Sequence, residues 1–419
     1  MRYFFILGRT PELSVLEICA LAHSEGLTLS NVIVTPFAFM CTTSREIPIT
    51  QYMARLGGII KIGVLLQENA IALQKDSTLP FLADILEAVH AQKTERIIFG
   101  FSAYTIQQTP KKEKATSSLL FRLGLSLKKL LKELGFSCRL VPCPDNQSFL
   151  SSVSVEKNHL LPPNGIEIVF IEYKGLFFLG RTLAVQPFEE YSDRDWNRPY
   201  KNMQVGLLPP KLAQIMINLS RCSPSKNHTL LDPFCGFGTI LQEAFLMGFS
   251  SVYGSDINKQ TVSSAKENLT WIAEKKNISL PSECIRVADA MHLSQEFQKT
   301  SIDAIVTEPY LGPVIYSGSS VSEKIIRELS FLYTAFLKES FMVLKKNGII
   351  VLALPVWIQK DKKIFLPLDR ILFSLPFKNT TLSNDCAQYI KNKTHRGTLL
   401  YSRVGQSVGR EIIVLKKTL

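Results

Sequence analysis

A chain of 419 residues, 46% hydrophobic and 20% charged, has the composition of an ordinary globular protein and length for two or three domains, each with its own core. No apolar run approaches the roughly eighteen residues of a membrane span, and the apolar start Met1–Leu7 stops at Arg9 without a cleavage site, so it reads as a first strand and not a signal peptide. The net charge of +12 favours a polyanionic partner, nucleic acid before membrane. The eight cysteines are scattered without a Cys-x-x-Cys pair, and none of the six histidines stands at zinc-ligand spacing from them. No metal site is expected, and isolated thiols suit a reducing, cytoplasmic setting.

Residues 1–78 alternate strand and helix: strand 3–7, a helix over 12–22 with Pro11 at its start, strand 32–41 and a helix from 50 to 57. That order suits a ferredoxin-like α+β domain. Residues 79–185 read as a second unit, with helix 80–90, strand 96–104, a periodic helix over 117–134 and strands at 139–142, 149–155, 167–173 and 176–183. The 117–134 helix carries Arg122, Lys128, Lys129 and Lys132 behind a Leu/Phe stripe, and Lys111, Lys112 and Lys114 precede it. A basic helix face beside a basic loop suits phosphate contacts, although a solvated polar face explains the same pattern.

Residues 186–212 are too polar for a core and too aromatic for a plain linker; they include Arg194, Trp196, Arg198 and Tyr200. From Thr229 the chain alternates in βαβ fashion, with strands at 229–232, 252–255, 284–288, 302–306 and 349–354 and helices at 239–247, 259–275 and 322–345. Residues 398–401 and 411–415 read as an antiparallel pair closing the sheet. The first turn of this region is Asp232-Pro233-Phe234-Cys235-Gly236-Phe237-Gly238-Thr239. A strand running into glycines and then a helix allows a ligand to approach the backbone at a helix N-terminus.

That wording resembles the first motif of S-adenosylmethionine-dependent methyltransferases acting on amino groups of nucleic-acid bases. Such a donor needs close backbone approach, an acid for its ribose diol and a polar group for its adenine. Gly236 and Gly238 supply the approach, with Phe234, Cys235 and Thr239 around them, and Asp232 is placed for the donor's amino group or an ordered water. Asp256, followed by Ile257, ends the second strand about twenty residues beyond the glycines, where dinucleotide folds put a ribose acid; a helix N-cap is the bland alternative. Asp289, followed by Ala290, ends the third strand and would face the adenine.

The fourth strand delivers Thr307-Glu308-Pro309-Tyr310. An exocyclic base amine has its lone pair delocalised into the ring, and an acceptor at the amine hydrogens turns that lone pair toward the methyl carbon. An aromatic ring beside it stacks on an extruded base. Base-amine methyltransferases show Asp or Asn, then Pro-Pro and an aromatic, at this place, so either Thr307 or Glu308 stands in the acceptor's slot.

With Met1–Glu12, Arg194-Asp195, Arg198-Pro199, Pro209–Ala213 and the stretches 402–405 and 409–411, the Asp232–Thr239 motif gives the whole chain a resemblance to the tRNA guanosine-10 N2-methyltransferases. The resemblance implies an α/β fold: a C-terminal Rossmann-like methyltransferase sheet over 213–419, with N-terminal α+β RNA-binding domains over 1–78 (ferredoxin-like) and 79–185 (resembling a THUMP module) joined by 186–212. It implies tRNA as substrate, a guanine amino group as acceptor, S-adenosylmethionine as donor, and a role for 194–211, Arg194 and Arg198 included, in the donor and base pocket; both arginines are also candidate RNA contacts. A small activating protein subunit is a further partner left open. The competing readings are a DNA adenine-N6 methyltransferase and a non-catalytic tRNA-binding protein or subunit.

Overall fold

The computed structural model describes residues 1–67, 70, 96–106, 109–144, 147–201, 207–313, 321–359, 362–383, 385–403 and 405–418. The helix expected over 80–90 lies outside them. By contacts the chain forms two units, one of Met1–Pro11, Leu27–Ala54 and Gly58–Glu189, the other of Glu12–Gly26, Arg55–Gly57 and Glu190–Leu419.

The first unit is built on one eight-stranded sheet, in the order Leu29–Val34, Ala38–Thr43, Arg2–Leu7, Ile59–Leu65, Leu176–Val185, Gly165–Tyr173, Arg96–Tyr104 and Ser137–Val141. Strands from 1–78 and from 79–185 therefore share a single sheet, joined where Ile59–Leu65 runs antiparallel to Leu176–Val185. A buried polar knot crosses this seam. Lys61 ion-pairs with Glu167, whose carboxylate also accepts from Ser102 Oγ at 2.6 Å and Thr182 Oγ1 at 2.5 Å. With all partners present the knot is satisfied; losing one would strand a buried charge. The Pro110–Glu133 helix packs Leu120, Leu127 and Leu131 into the core formed with Phe99, Phe101 and Phe170.

Three elements of this unit differ from expectation, the first being the helix expected over 117–134, which starts at Pro110 and takes in Lys111, Lys112 and Lys114. Residues 32–41 are two strands, Leu29–Val34 and Ala38–Thr43, because Thr35 closes a tight turn whose hydroxyl accepts from Ala38 N at 3.0 Å. The stretch 149–155 runs into the helix Ser152–Lys157, where Ser151 caps by accepting from Ser154 N at 3.1 Å, a local bond that outweighs the β-leaning valines.

The second unit holds a nine-stranded sheet. Its path runs Ile285–Val287, Val252–Asp256, Leu230–Asp232, Ile302–Thr307, Leu344–Gln359, Val408–Lys417 and Phe377–Asn379, with Lys362–Phe365 and Leu399–Tyr401 paired at its side. The first five strands are parallel and Val408–Lys417 is antiparallel. This is the Rossmann-like arrangement, with strand order reversing beside Leu230–Asp232 and a crevice opening beyond the carboxyl ends of the strands there. The expected closing pair is present, with Leu399 opposite Ile412. The central strand Ile302–Thr307 and residues 350–357 of Leu344–Gln359 are almost wholly buried, as parallel strands covered on both faces must be.

Helix Pro11–Ser24 contacts this second unit although its sequence lies in the first 78 residues. Glu17, fully buried, accepts from Asn218 Nδ2 and from Gly57 N, both at 2.9 Å. Residues 41, 138, 143, 222, 235 and 284 are free cysteines, whereas Cys19 on this helix is disulfide-bonded, so the expectation of isolated thiols throughout does not hold. No helix among the described residues is long and apolar enough to cross a membrane.

Candidate active site

The turn after Leu230–Asp232 is shaped by its glycines. Gly236 has φ +51° and Gly238 φ +82°, left-handed values that strain any other residue, and Gly238 is the N-cap of helix Thr239–Leu246. A Cβ placed on Gly236 would meet nothing nearer than Phe234 O at 4.0 Å, so the loop faces open space and not its own core. The first-turn N–H groups of Thr239–Leu246 have no intrahelical acceptor and offer a partial positive charge there.

The space is a cavity of about 630 Å³ at the carboxyl edge of the sheet, the size of a small-molecule site. Asp232, Phe234, Cys235, Gly236, Thr239, Asp256, Ile257, Asp289, Ala290, Glu308, Pro309 and Tyr310 all line it. Gly238 and Thr307 do not belong to this wall; they support it from behind. Phe234 faces the core, its ring edge-on to Phe336 at 5.1 Å, and burial pushes the Cys235 thiol well above its usual range.

The acids differ sharply. Asp232 is 3% exposed, and burial lifts its carboxyl to about 7, against the opposing pull of the Thr307 hydroxyl, which donates to Oδ1 at 2.6 Å, and of Phe234 N at 3.2 Å. Asp256 accepts Gly236 N on Oδ2 at 3.1 Å and Asn258 N on Oδ1 at 2.9 Å, which fixes the carboxylate and leaves lone pairs for hydroxyl donors. The N-cap of helix Lys259–Lys276 is Asn258, which accepts from Gln260 N and Thr261 N, so Asp256 is released from that task. Asp289 caps the short turn Ala290–His292, accepting Met291 N at 2.9 Å.

Glu308 emerges from the end of Ile302–Thr307 into the wall, and Arg410 of Val408–Lys417 grips it through Nε and a second nitrogen, the latter at 3.4 Å. Thr307 is fully buried and its hydroxyl is committed to Asp232, so of the two residues in the acceptor's slot Glu308 is the one presented to the cavity. Tyr310 is 54% exposed, while its carbonyl accepts the buried Tyr333 hydroxyl at 2.6 Å, pinning the loop and leaving the ring free.

Several participants escaped sequence reading. Met291 and Leu332 add apolar wall beside Leu207 and Leu208 of the 194–211 segment expected there, and Arg410 positions Glu308. Arg410 lies in the Gly409–Glu411 stretch that already carried part of the family resemblance; the signal was present without its partner.

The candidate RNA contacts divide. Lys111, Arg122, Lys129 and Lys132 are exposed on Pro110–Glu133, with Lys112 and Lys128 half-buried and Lys112 paired to Glu172 at 3.3 Å. Arg194 and Arg198 are 4% and 3% exposed and cannot meet a phosphate. Arg194 Nε pairs with Glu243 at 2.8 Å and Arg198 donates to Thr239 Oγ1 at 2.9 Å, so both brace the helix that carries the glycine turn. An arginine beside a buried glutamate is worth more as structure than as a solvated contact, and this overrides the expectation of RNA binding.

A family model described as the RMKL-like methyltransferase domain (UPF0020) matches residues 197–358. The chain is 36% identical over 189 residues to the tRNA (guanine(10)-N2)-dimethyltransferase of Methanothermobacter thermautotrophicus, a match spanning 45% of this chain and about half of that relative's length, 50%. It is 32% identical over 164 residues to the probable tRNA (guanine(10)-N2)-dimethyltransferase of Methanothermococcus thermolithotrophicus, covering 38% of this chain and 85% of that protein. The crystal structure of TrmN from Thermus thermophilus shares the fold over 100% of both chains, with a TM-score of 0.50 and 17% identity. With the glycine turn, the strand-end acids and the Glu308 loop gathered on one cavity, the chain belongs to the tRNA guanosine-10 N2-methyltransferase family.

Proposed function

We propose that the protein transfers a methyl group from S-adenosylmethionine to the exocyclic N2 amine of a guanine in tRNA, guanosine 10. The observation that carries this reading is Glu308, anchored by Arg410 beside the exposed Tyr310 on the same cavity wall as Asp256 and the glycine turn. The donor fits the residues present: a glycine loop open where a side chain would stand, helix N–H groups for a carboxylate, and Asp256 with lone pairs for a ribose diol. When bound, the donor supplies an electrophilic methyl carbon on a sulfonium.

The chain's own residues then divide the work. Glu308 accepts from the guanine amine N–H, which turns the nitrogen lone pair out of conjugation and aims it across the cavity. Arg410 holds that carboxylate in place. As the new N–C bond forms the amine becomes more acidic, and Glu308 is the carboxylate placed to receive the proton. Tyr310 offers its face to the extruded base, with Pro309 and the Tyr333 hydroxyl restricting the loop. Asp289 takes the adenine amino group.

The front of the chain serves tRNA in this reading, as a ferredoxin-like portion over 1–78 and a THUMP-like portion over 79–185, with the exposed lysines of Pro110–Glu133 on phosphates. A cytoplasmic location and a small activating subunit belong to the same proposal. The test is to incubate the protein with unmodified tRNA and isotopically labelled donor and identify the labelled nucleoside by mass spectrometry. Label in N2-methylguanosine is expected; no label in tRNA, with N6-methyladenine labelled in a parallel incubation with unmethylated DNA, overturns the reading.

A further inference from the structure

The second unit has another cleft, of about 640 Å³, at the end of its sheet opposite the cavity. It opens where Ile302–Thr307 and Leu344–Gln359 begin and Val408–Lys417 finishes. Arg221, Lys345, Lys346, Lys378, Lys416 and Lys417 line it with two histidines, and Asp303 is the one carboxylate among the lining residues. Asp303 is already used, accepting Thr229 N at 2.8 Å and Lys345 Nζ at 2.7 Å on the same oxygen. Lys417 is also used, donating to the carbonyls of Phe341 and Leu344 at 2.7 and 2.8 Å. Arg221, Lys346, Lys378 and Lys416 make no ion pair among the described residues.

Two features show that the surplus charge is held at a cost. Lys378 stands directly opposite Lys416 in the antiparallel pair of Phe377–Asn379 with Val408–Lys417. Like charges at that separation destabilise a sheet. Arg221 sits at φ +59° just past helix Pro210–Leu219, in the left-handed position that glycine usually fills, and it is half-buried with burial pulling its guanidinium below the usual range. A solvated lysine face needs neither a concave wall nor a strained arginine in it.

We propose that this cleft is a phosphate-binding site, closing Arg221 and the Lys378–Lys416 pair around a phosphate group. The group is either a backbone phosphate of the RNA, an arm that rests on the tRNA reading above, or part of a free phosphorylated small molecule, which does not. A phosphate group, singly charged in an RNA backbone or up to doubly charged as a free monoester, relieves the Lys378–Lys416 repulsion and gives the Arg221 fork an acceptor of matching geometry.

The test uses the full chain. Wild type and Lys378→Glu/Lys416→Glu are titrated by calorimetry with inorganic pyrophosphate and, separately, with a tRNA transcript, with S-adenosylmethionine binding as the check that the distant cavity is intact. Wild type binds pyrophosphate, and the double variant binds it at least tenfold more weakly with donor affinity unchanged. A parallel tenfold loss of tRNA affinity, with pyrophosphate competing against tRNA, assigns the phosphate to RNA; unchanged tRNA affinity assigns it to a small molecule. If the charge reversal does not fold, Lys378→Met/Lys416→Met replaces it. That variant melts higher than wild type in chloride, because the repulsion is gone, and loses the rise in melting temperature that wild type shows in phosphate at matched ionic strength. Wild type failing to bind pyrophosphate, or both variants binding it as wild type does, overturns the proposal. N2-methylguanosine formation is read in a separate assay, so failure of the cleft and failure of the methyl-transfer reading are told apart.

Discussion

At the scale of single residues, the site combines one carboxylate ion-paired to a buried arginine with one made reluctant to ionise by burial. Glu308 is gripped by Arg410, whose side chain is 7% exposed, so removing the carboxylate leaves a guanidinium with little water. Glu308→Ala is expected to lower kcat by about 10² or more and to destabilise the fold by roughly 3 kcal/mol, the usual cost of breaking a buried pair from one side. Glu308→Gln keeps the shape and one acceptor oxygen for Arg410, so its melting temperature stays close to wild type while kcat falls as far. If Gln restores kcat, a charged acceptor is not needed. Asp232 gives a test with the opposite sign. Its carboxyl is raised to about 7 in the folded protein, so the fold holds its proton more tightly than the unfolded chain does. The resulting penalty is absent below pH 4, grows between about 4 and 7, and is complete above; at its upper limit it is of order 4 kcal/mol. Asp232→Asn keeps an oxygen for the Thr307 hydroxyl and removes the charge. Denaturant titrations at pH 5 and pH 8 are expected to show the variant gaining on wild type as pH rises, and a gain that shrinks with pH refutes the assignment.

At the scale of elements, helix Pro110–Glu133 shows what patterning conveys and what it hides. Its buried Leu120, Leu123, Leu127 and Leu131 recur at helical spacing, which is why its second half was legible from 117 onward. Its true start is Thr109, whose hydroxyl accepts from Lys112 N with Pro110 at the first helical position, a cap-and-proline signal masked by the lysines that follow. Lys111 and Lys112 are therefore helical, and the basic face is about two turns longer than a loop reading allows. Lys129 and Lys132 lie on its exposed side, Lys129 in a loose 3.9 Å contact with Glu133 that solvent screens. Lys129→Glu/Lys132→Glu should weaken tRNA binding without disturbing the core. A plot of log affinity against log salt should become shallower by roughly 0.9 for each phosphate the protein no longer neutralises. A variant with an unchanged slope would move the RNA face off this helix.

At the scale of the whole molecule, the candidate site was legible because its demands are local. A glycine at φ +82° and an acid at each strand end leave marks within a few residues of one another. What stayed hidden depends on partners distant in sequence: Arg194 on Glu243, Arg198 on Thr239, Arg410 on Glu308, and above all helix Pro11–Ser24. The sequence places that helix in a small N-terminal α+β domain, whereas in the fold every residue from Leu13 to Ala22 is buried, the mark of a helix enclosed by protein. Glu17 binds Asn218 from there, about two hundred residues away in the chain, and Glu12 accepts from Asn392 Nδ2 at 2.5 Å. Cutting the chain before Glu190 to isolate the methyltransferase sheet therefore removes part of that sheet's own unit. It leaves Asn218 Nδ2 without its two buried acceptors, Glu17 Oε1 and Arg55 O, and removes a helix whose Leu13, Leu16 and Ile18 are buried in the intact protein. The 190–419 fragment is expected to aggregate, or to melt well below the full chain. A fragment carrying residues 11–26 on a flexible linker should recover solubility and donor binding, and Glu17→Ala in that linked form should lose part of the recovery. A 190–419 fragment that melts as high as the full chain and binds the donor equally well would show that the helix is dispensable to the catalytic unit.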